Sequence, residues 1–330
     1  MNRIILVASC LVALVFGAQA QSQKQMVNFS QFQQYFNPSL TGFEGSALKT
    51  LYRNQWTGFE DAPKTMLASA ELDLARLGQK KKAYQPGAKE RNSGPISARH
   101  GLGLTVVHDQ FGPARETQLQ LSYGSGVRLS ETLHMRWGTA LTYTAQRLDG
   151  NSLTLDQEND PRYREVLGQN NRMGKVDLNL GLALTGPNFY LGYALLDITE
   201  GEVIATGDDY LKGFFSRKHV AQAGYRNSLT DELGFTLNGI YQHDNNLEST
   251  LEGQLKLVYQ NTFWIGGGYR NDRAYTLAAG IRLHQLSIQY AYENPVQDAR
   301  AIGRATNEIG IRYNLFSVKS AGMSRQLVFW

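Results

Sequence analysis

From Thr250 to Glu293 the chain alternates apolar and polar residues through four consecutive segments with almost nothing between them. One parity carries Leu251, Leu255, Leu257 and Tyr259, then Phe263, Ile265 and Tyr269, then Tyr275, Leu277 and Ile281, then Leu286, Ile288, Tyr290 and Tyr292. Glu252, Lys256, Arg270, Arg282 and Glu293 all have the opposite parity, the period-2 separation that half-buried strands require. The joints Gln260-Asn261, Asn271-Asp272-Arg273 and His284-Gln285 are long enough only for hairpins.

The question is which solvent the apolar face meets. Segments of about ten residues with aromatics near their ends fit a transmembrane β-barrel, wetted by lipid outside and carrying polar residues inside. A soluble β-sandwich gives the same alternation, but it must hide its apolar faces against a second sheet and does so with shorter strands. The same pattern recurs at roughly 47–56, 64–74, 96–109, 114–123, 132–148, 175–185, 188–198, 218–229, 233–244 and 307–315. Between 176 and 184, for example, Val176, Leu178, Leu180, Leu182 and Leu184 alternate with Asp177, Asn179, Gly181 and Ala183. The expectation is an all-β protein, a transmembrane antiparallel β-barrel of about 14 strands over residues 47–315, with both termini on the periplasmic side.

Loop lengths agree with that orientation. The long connections 149–174, 199–217 and 294–306 fall at one end, and the turns 124–131, 185–188, 229–233, 260–261 and 284–285 fall at the other. The exception is 75–95, a long connection on the periplasmic side carrying Lys80, Lys81, Lys82, Lys89 and Arg91. Reversing the wall would place charges in hydrocarbon at about 2–4 kcal/mol each near the midplane, so the charged parity must face the lumen. Tyr52, Trp56, Tyr123, Trp137, Tyr143, Tyr193, Tyr225, Tyr241, Tyr259, Phe263 and Tyr269 are candidates for the interfacial aromatic girdles.

Arg3, the apolar run Ile4–Phe16 and Ala18-Gln19-Ala20 read as a secretory signal peptide over residues 1–20. The only cysteine, Cys10, falls inside it, so the mature chain is expected to fold without disulfides. Residues 21–46 form a polar segment with an aromatic core at Phe32, Tyr35 and Phe36, placed in the periplasm or the lumen, and 316–330 form a C-terminal tail. A mean hydropathy below zero, with no later apolar run of helical spanning length, excludes a helical membrane protein. The net charge of +4 is small and scattered and does not point to nucleic acid.

Candidate chemistry is thin. The six histidines are scattered, with no pair at metal-ligand spacing along the chain. Adjacent strand residues such as His108-Asp109 face opposite sides and make a poor dyad. Gly101-Leu102-Gly103 and Gly266-Gly267-Gly268 precede no helix, so they read as relief of crowding or bends in the wall and not as phosphate loops. No catalytic residue, cofactor or metal site is assigned. Fourteen strands fall short of the 16–18 that leave an aqueous channel, so a narrow or plugged lumen is expected.

Tyr52-Arg53-Asn54-Gln55-Trp56-Thr57-Gly58-Phe59, followed by Ala62-Pro63-Lys64-Thr65, resembles the signature of the PorP/SprF family of type IX secretion-associated outer-membrane proteins of Bacteroidetes. Tyr35-Phe36-Asn37-Pro38-Ser39-Leu40-Thr41-Gly42, Asn188–Gly192, Phe263–Gly266 with Tyr269-Arg270, and Asn307–Ile309 leading to Tyr313 resemble it too. The basic loop and the tail extend beyond the pattern. The resemblance implies a non-enzymatic barrel of the bacterial outer membrane within the type IX secretion and gliding machinery. It would assist export or surface attachment of particular proteins such as large adhesins, with links to periplasmic peptidoglycan-associated or motor components. It supplies no residue-level site. Exposed outer loops are the expected grip for a partner, which singles out Trp56, Phe59 and Asp61, although Trp56 also reads as a girdle residue. Glu252, Lys256, Arg270 and Arg282 are the expected lumenal lining, and in a porin or solute transporter they would set selectivity. A soluble periplasmic β-protein is the remaining alternative.

Overall fold

The computed structural model describes residues 25–77, 99–149, 172–201, 204–206, 216–244, 247–296 and 303–316. Residues 1–20, expected from sequence to be a signal peptide, lie outside these residues, as do most of the expected basic loop and most of the expected tail. The strands are β1 (Ala47–Asn54), β2 (Lys64–Asp73), β3 (Arg99–Phe111), β4 (Ala114–Arg128), β5 (His134–Leu148), β6 (Arg172–Thr185), β7 (Phe189–Leu196), β8 (Ile204–Thr206), β9 (Lys218–Ser228), β10 (Leu233–Asp244), β11 (Leu247–Tyr259), β12 (Phe263–Arg270), β13 (Ala274–Leu283), β14 (Leu286–Pro295) and β15 (Thr306–Asn314).

Each strand pairs antiparallel with its neighbours, β1 pairs with β15, and β5 pairs with β6, so the sheet closes on itself. Fourteen strands make the barrel. The extra segment, β8, is not a fifteenth stave. It bonds to Gly174–Val176 at the outer end of β6, in line with β7, which bonds to Leu180–Thr185 lower on the same strand. Between them the chain steps aside, and the Asp197, Ile198 and Thr199 amides are met by the Asn179 side chain, the Leu178 carbonyl and the Asp177 carboxylate.

The barrel strands alternate as their side-chain period dictates, β6 most regularly. Leu178, Leu180, Leu182 and Leu184 point outward and are exposed, while Asp177, Asn179, Ala183 and Thr185 point inward and are buried. Outward aromatics gather toward both ends of the wall: Tyr52, Tyr143, Tyr193, Tyr241 and Tyr269 on one side, and Trp137, Tyr225, Tyr259 and Phe263 on the other. The β11–β12 hairpin turns at Gln260 and Asn261, both at positive φ (50° and 52°), the twist-matched geometry for a two-residue joint.

Several strand ends differ from the sequence expectation by two to five residues, among them both ends of β3 and the start of β6, and two of the differences have a local cause. β1 stops at Asn54 instead of 56, because Trp56 adopts φ 53°, a left-handed conformation that cannot continue a ladder. β4 continues past 123 to Arg128, through Gly124 and Gly126. Glycines weaken a strand signal, and Gly124 is there for another reason, given below.

Candidate functional site

The end bearing the long connections is called outer here and the opposite end periplasmic, as the loop-length rule places them. The lumen between them is filled by the chain's own residues 25–45. Met26, Val27, Phe29, Phe32, Phe36 and Leu40 are all buried. The segment folds as a 3-10 turn Phe29–Phe32, a helical turn Gln33–Phe36 and a second 3-10 turn Pro38–Leu40, then leaves through Gly45 and Ser46 into β1. It descends the barrel from near the outer end at Gln25 to the periplasmic rim at Glu44.

Three kinds of contact fix it. The first is apolar. Met26, Phe29, Phe32 and Phe36 pack on Leu51, Leu67, Val107, Ala194, Val220 and Ile240, which occupy the otherwise polar inward parity of six strands. Each such side chain, fully buried, contributes about 1.5–3 kcal/mol relative to exposure.

The second contact is steric. Asn37 accepts from the Ser39 amide (3.0 Å) and hydroxyl (2.7 Å), and its amide donates to the Leu182 carbonyl (3.3 Å). The turn from Asn37 to Gly42 lies directly on wall glycines. A Cβ at Gly101 would sit 2.5 Å from the Thr41 carbonyl oxygen, and one at Gly124 would sit 2.9 Å from the same atom and 3.0 Å from the Pro38 oxygen. At Gly138 and Gly181 it would strike Pro38 and Asn37. These glycines let two backbones approach where no side chain fits. Gly42 itself has φ 69° and donates its amide to Glu71 (2.9 Å).

The third contact is with charged wall residues, which are densest at the outer end. Arg53 pairs with Glu293 (2.8 Å) and Glu308 (3.5 Å), and Arg270 pairs with Glu252 (2.9 Å) and Glu293 (3.1 Å), all of them buried. Two arginines face three carboxylates here, and the backbone of the plug supplies the balance: the Val27 and Asn28 amides donate to Glu308 at 2.9 and 3.2 Å. Arg270 also donates to the Gln25 side chain (2.7 Å). Midway down, Lys256 donates to the Asn28 side chain and to Ser30 (2.7 Å) and lies 4.9 Å over the Trp264 ring. Lower still, Lys49 meets Glu71 (2.5 Å) and the Gln31 carbonyl (2.7 Å), and Arg136 donates to the carbonyls of Ser39 (2.7 Å) and Thr41 (2.8 Å). At the rim, burial pushes the Glu44 carboxyl upward, but the Arg312 and Lys49 cations outweigh it and hold Glu44 below the usual carboxylate range.

Of the four residues expected to line the lumen, Glu252, Lys256 and Arg270 are buried together against the plug, each in contact with a partner. Arg282 stands apart at the periplasmic end of β13, its Nε donating to the His284 carbonyl (3.1 Å). The β1–β2 loop lies at the outer end. Trp56 is half-buried with its ring edge-on to Phe111 at 5.9 Å, while Phe59 and Asp61 are exposed. The loop is tied down by the Thr57 amide on the Ala305 carbonyl (2.8 Å), Asn307 on the Thr57 hydroxyl (2.7 Å) and the Gly112 amide on the Asp61 carbonyl (3.1 Å). Glu293 was placed on the charged parity from sequence, and Arg53 and Glu308 lay within motif segments, but none of the three was named as lumenal lining. The legible signal was the apolar residues Leu51, Leu67, Val107, Val220 and Ile240 on the charged parity, which need an apolar partner inside the lumen.

A closed, lipid-faced antiparallel barrel with a polar interior sealed by its own N-terminal segment belongs to the outer-membrane β-barrel proteins. Residues 18–313 match the family model described as type IX secretion system membrane protein PorP/SprF, and the chain belongs to that family. It is therefore a membrane component of the type IX secretion system. None of the curated proteins matches it. Among solved structures it is similar to the CymD monoaromatic hydrocarbon channel (10% identity over 87% of this chain and 93% of that chain, TM-score 0.47). It is also similar to the translocator domain of autotransporter NalP from Neisseria meningitidis (10% identity, 94% and 95%, TM-score 0.33) and to the P. putida toluene transporter TodX (10%, 84% and 92%, TM-score 0.39). At such identities and overlaps none of them bears on what this chain does.

Proposed function

We propose that this barrel is a non-enzymatic adaptor that assists export or surface attachment of particular proteins, large adhesins among them, and that it presents its outer loops to that cargo. The observation that carries the reading is the occupied lumen. Residues 25–45 fill it, hydrogen-bonded to buried charged groups of the wall and seated on wall glycines, which supports a rigid scaffold over a passage for solutes. Trp56, Phe59 and Asp61 supply the contact in this reading, on a loop whose backbone is anchored while Phe59 stays 55% exposed. Periplasmic peptidoglycan-associated or motor components are the partners on the opposite side.

The test compares the surface and culture-fluid proteomes of the parent strain and a strain lacking this gene, together with uptake of a small polar solute. Loss of one or a few large surface proteins with unchanged uptake is the expected result. An unchanged surface proteome with slower uptake would overturn it in favour of a porin.

A further inference from the structure

Among the described residues no group of three or more His, Cys, Asp or Glu side chains is arranged to hold a metal ion. A pair on the outer face of the wall nevertheless has the features of one. His219 of β9 and His243 of β10 stand near the open end of one hairpin, where the strand register sets them directly opposite each other. Both have the outward parity, since Val220, Gln222, Ile240 and Asp244 point into the lumen. Their rings lie 6.1 Å apart, centroid to centroid, tilted by 43°.

Each ring is held by its Nδ1. His219 Nδ1 lies 2.6 Å from the Tyr193 hydroxyl on β7, and His243 Nδ1 lies 2.7 Å from the Ser249 hydroxyl on β11. The Ser249 contact is made where the β10–β11 register shifts between Gln242 and Asp244, a bulge of the kind that re-aims side chains. In the sheet β7 and β11 flank β9 and β10 on opposite sides. Nε2 lies across each imidazole ring from Nδ1, so with both Nδ1 atoms engaged toward the flanking strands it is Nε2 that each ring can offer to a ligand shared between β9 and β10. A hydroxyl that accepts from Nδ1–H leaves the Nε2 lone pair for a metal, the arrangement by which outer-shell partners orient metal-ligating histidines. A Zn–N bond of about 2.0–2.1 Å places the ion about 3 Å from each ring centroid, so one ion spans a separation like the one found.

We propose that His219 and His243 form a two-histidine site for a divalent transition metal of the zinc class, clipping β9 to β10 at the outer rim. Imidazole nitrogens select Zn2+, Cu2+ or Ni2+ over Mg2+ and Ca2+. The ion's remaining positions are open to water. The site is independent of the secretion role and stands or falls separately from it.

The experiment is titration of Zn2+ into the tag-free full chain in detergent, by calorimetry and by the temperature at which the barrel loses its SDS resistance. One saturable ion per chain, raising that temperature by a few degrees and reversed by chelator, is expected. His219→Ala and His243→Ala should each weaken binding at least about tenfold, and His284→Ala should leave it unchanged. Absence of saturable binding to the unaltered chain, or retention of it in the double variant, would overturn the proposal. Should a variant fail to fold, diethylpyrocarbonate modification of the unaltered chain decides. Zn2+ should protect His219 and His243 and leave His100 reactive, and equal modification rates with and without Zn2+ would overturn the site.

Discussion

Arg53 and Glu308 face each other across the β1–β15 seam as register partners, with their side chains 3.5 Å apart in the lumen, and Glu308 also accepts the Val27 amide of the plug at 2.9 Å. One carboxylate therefore joins three things: the strand that opens the barrel, the strand that closes it, and the segment that fills it. Glu308→Ala leaves Arg53 with Glu293 as its only carboxylate in the pairing described above and strips two plug amides of their acceptor. Breaking one partner of a buried ion pair costs about 3–5 kcal/mol. The variant should lose SDS resistance at a clearly lower temperature than the parent, and unchanged heat modifiability would count against the seam having this role.

The wall glycines should be intolerant in proportion to what lies over them. Gly138→Leu places a side chain where the Pro38 backbone sits, so the plug must shift, while Gly253→Ala, with nothing within 4 Å, should be accommodated. With Cys10, the only cysteine, replaced, a Ser39→Cys reporter in the buried turn should resist a water-soluble thiol reagent in the parent barrel and react in Gly138→Leu. Equal labelling of both would contradict the cradle.

Displacing the plug should also change conductance. The parent barrel in a planar bilayer is expected to pass little current, and Gly138→Leu or Arg270→Ala to pass more. High, stable conductance by the unaltered protein would show that residues 25–45 leave a path for ions.

Asp197, just beyond β7, lies 3.0 Å from Lys218 and 3.6 Å from Lys175. Burial pushes its carboxyl upward, but the two ammonium groups outweigh this and hold it below the ordinary value of 3.8. A carboxyl whose folded value is depressed adds stability that is complete above the unfolded value and is lost as pH falls through the folded one. Stability should therefore decline from about pH 4 downward, and Asp197→Asn should flatten that part of the profile. Identical acid profiles for the two proteins would remove Asp197 from the account.

On the outer loop, Phe59→Ala and Asp61→Asn alter exposed side chains whose neighbours are held by backbone bonds, so folding should be unaffected. In the adaptor reading they should reduce the surface level of the cargo severalfold, with the amount of barrel in the membrane unchanged. Normal cargo display by the double variant would move the contact elsewhere.

Much of this molecule is legible along the chain because a strand's side chains alternate at a fixed period and lipid penalises charge. Leu178, Leu180, Leu182 and Leu184, or Leu251, Leu255, Leu257 and Tyr259, can face only outward, and short turns against long loops are the basis for naming the two ends. The motif from Tyr35 to Gly42 was visible as a resemblance, but its location was not. Whether residues 25–45 lie inside or outside the barrel depends on closure of β5 on β6, which brings Gly101, Gly124, Gly138 and Gly181 from four strands under one turn. Likewise Arg53, Glu252, Arg270, Glu293 and Glu308 come from five strands, and His219 meets His243 only through the β9–β10 register. The sequence by itself determined the wall, since alternation is a local property. The tertiary structure alone decided what fills the lumen and which side chains meet, since those contacts join residues as many as 281 positions apart.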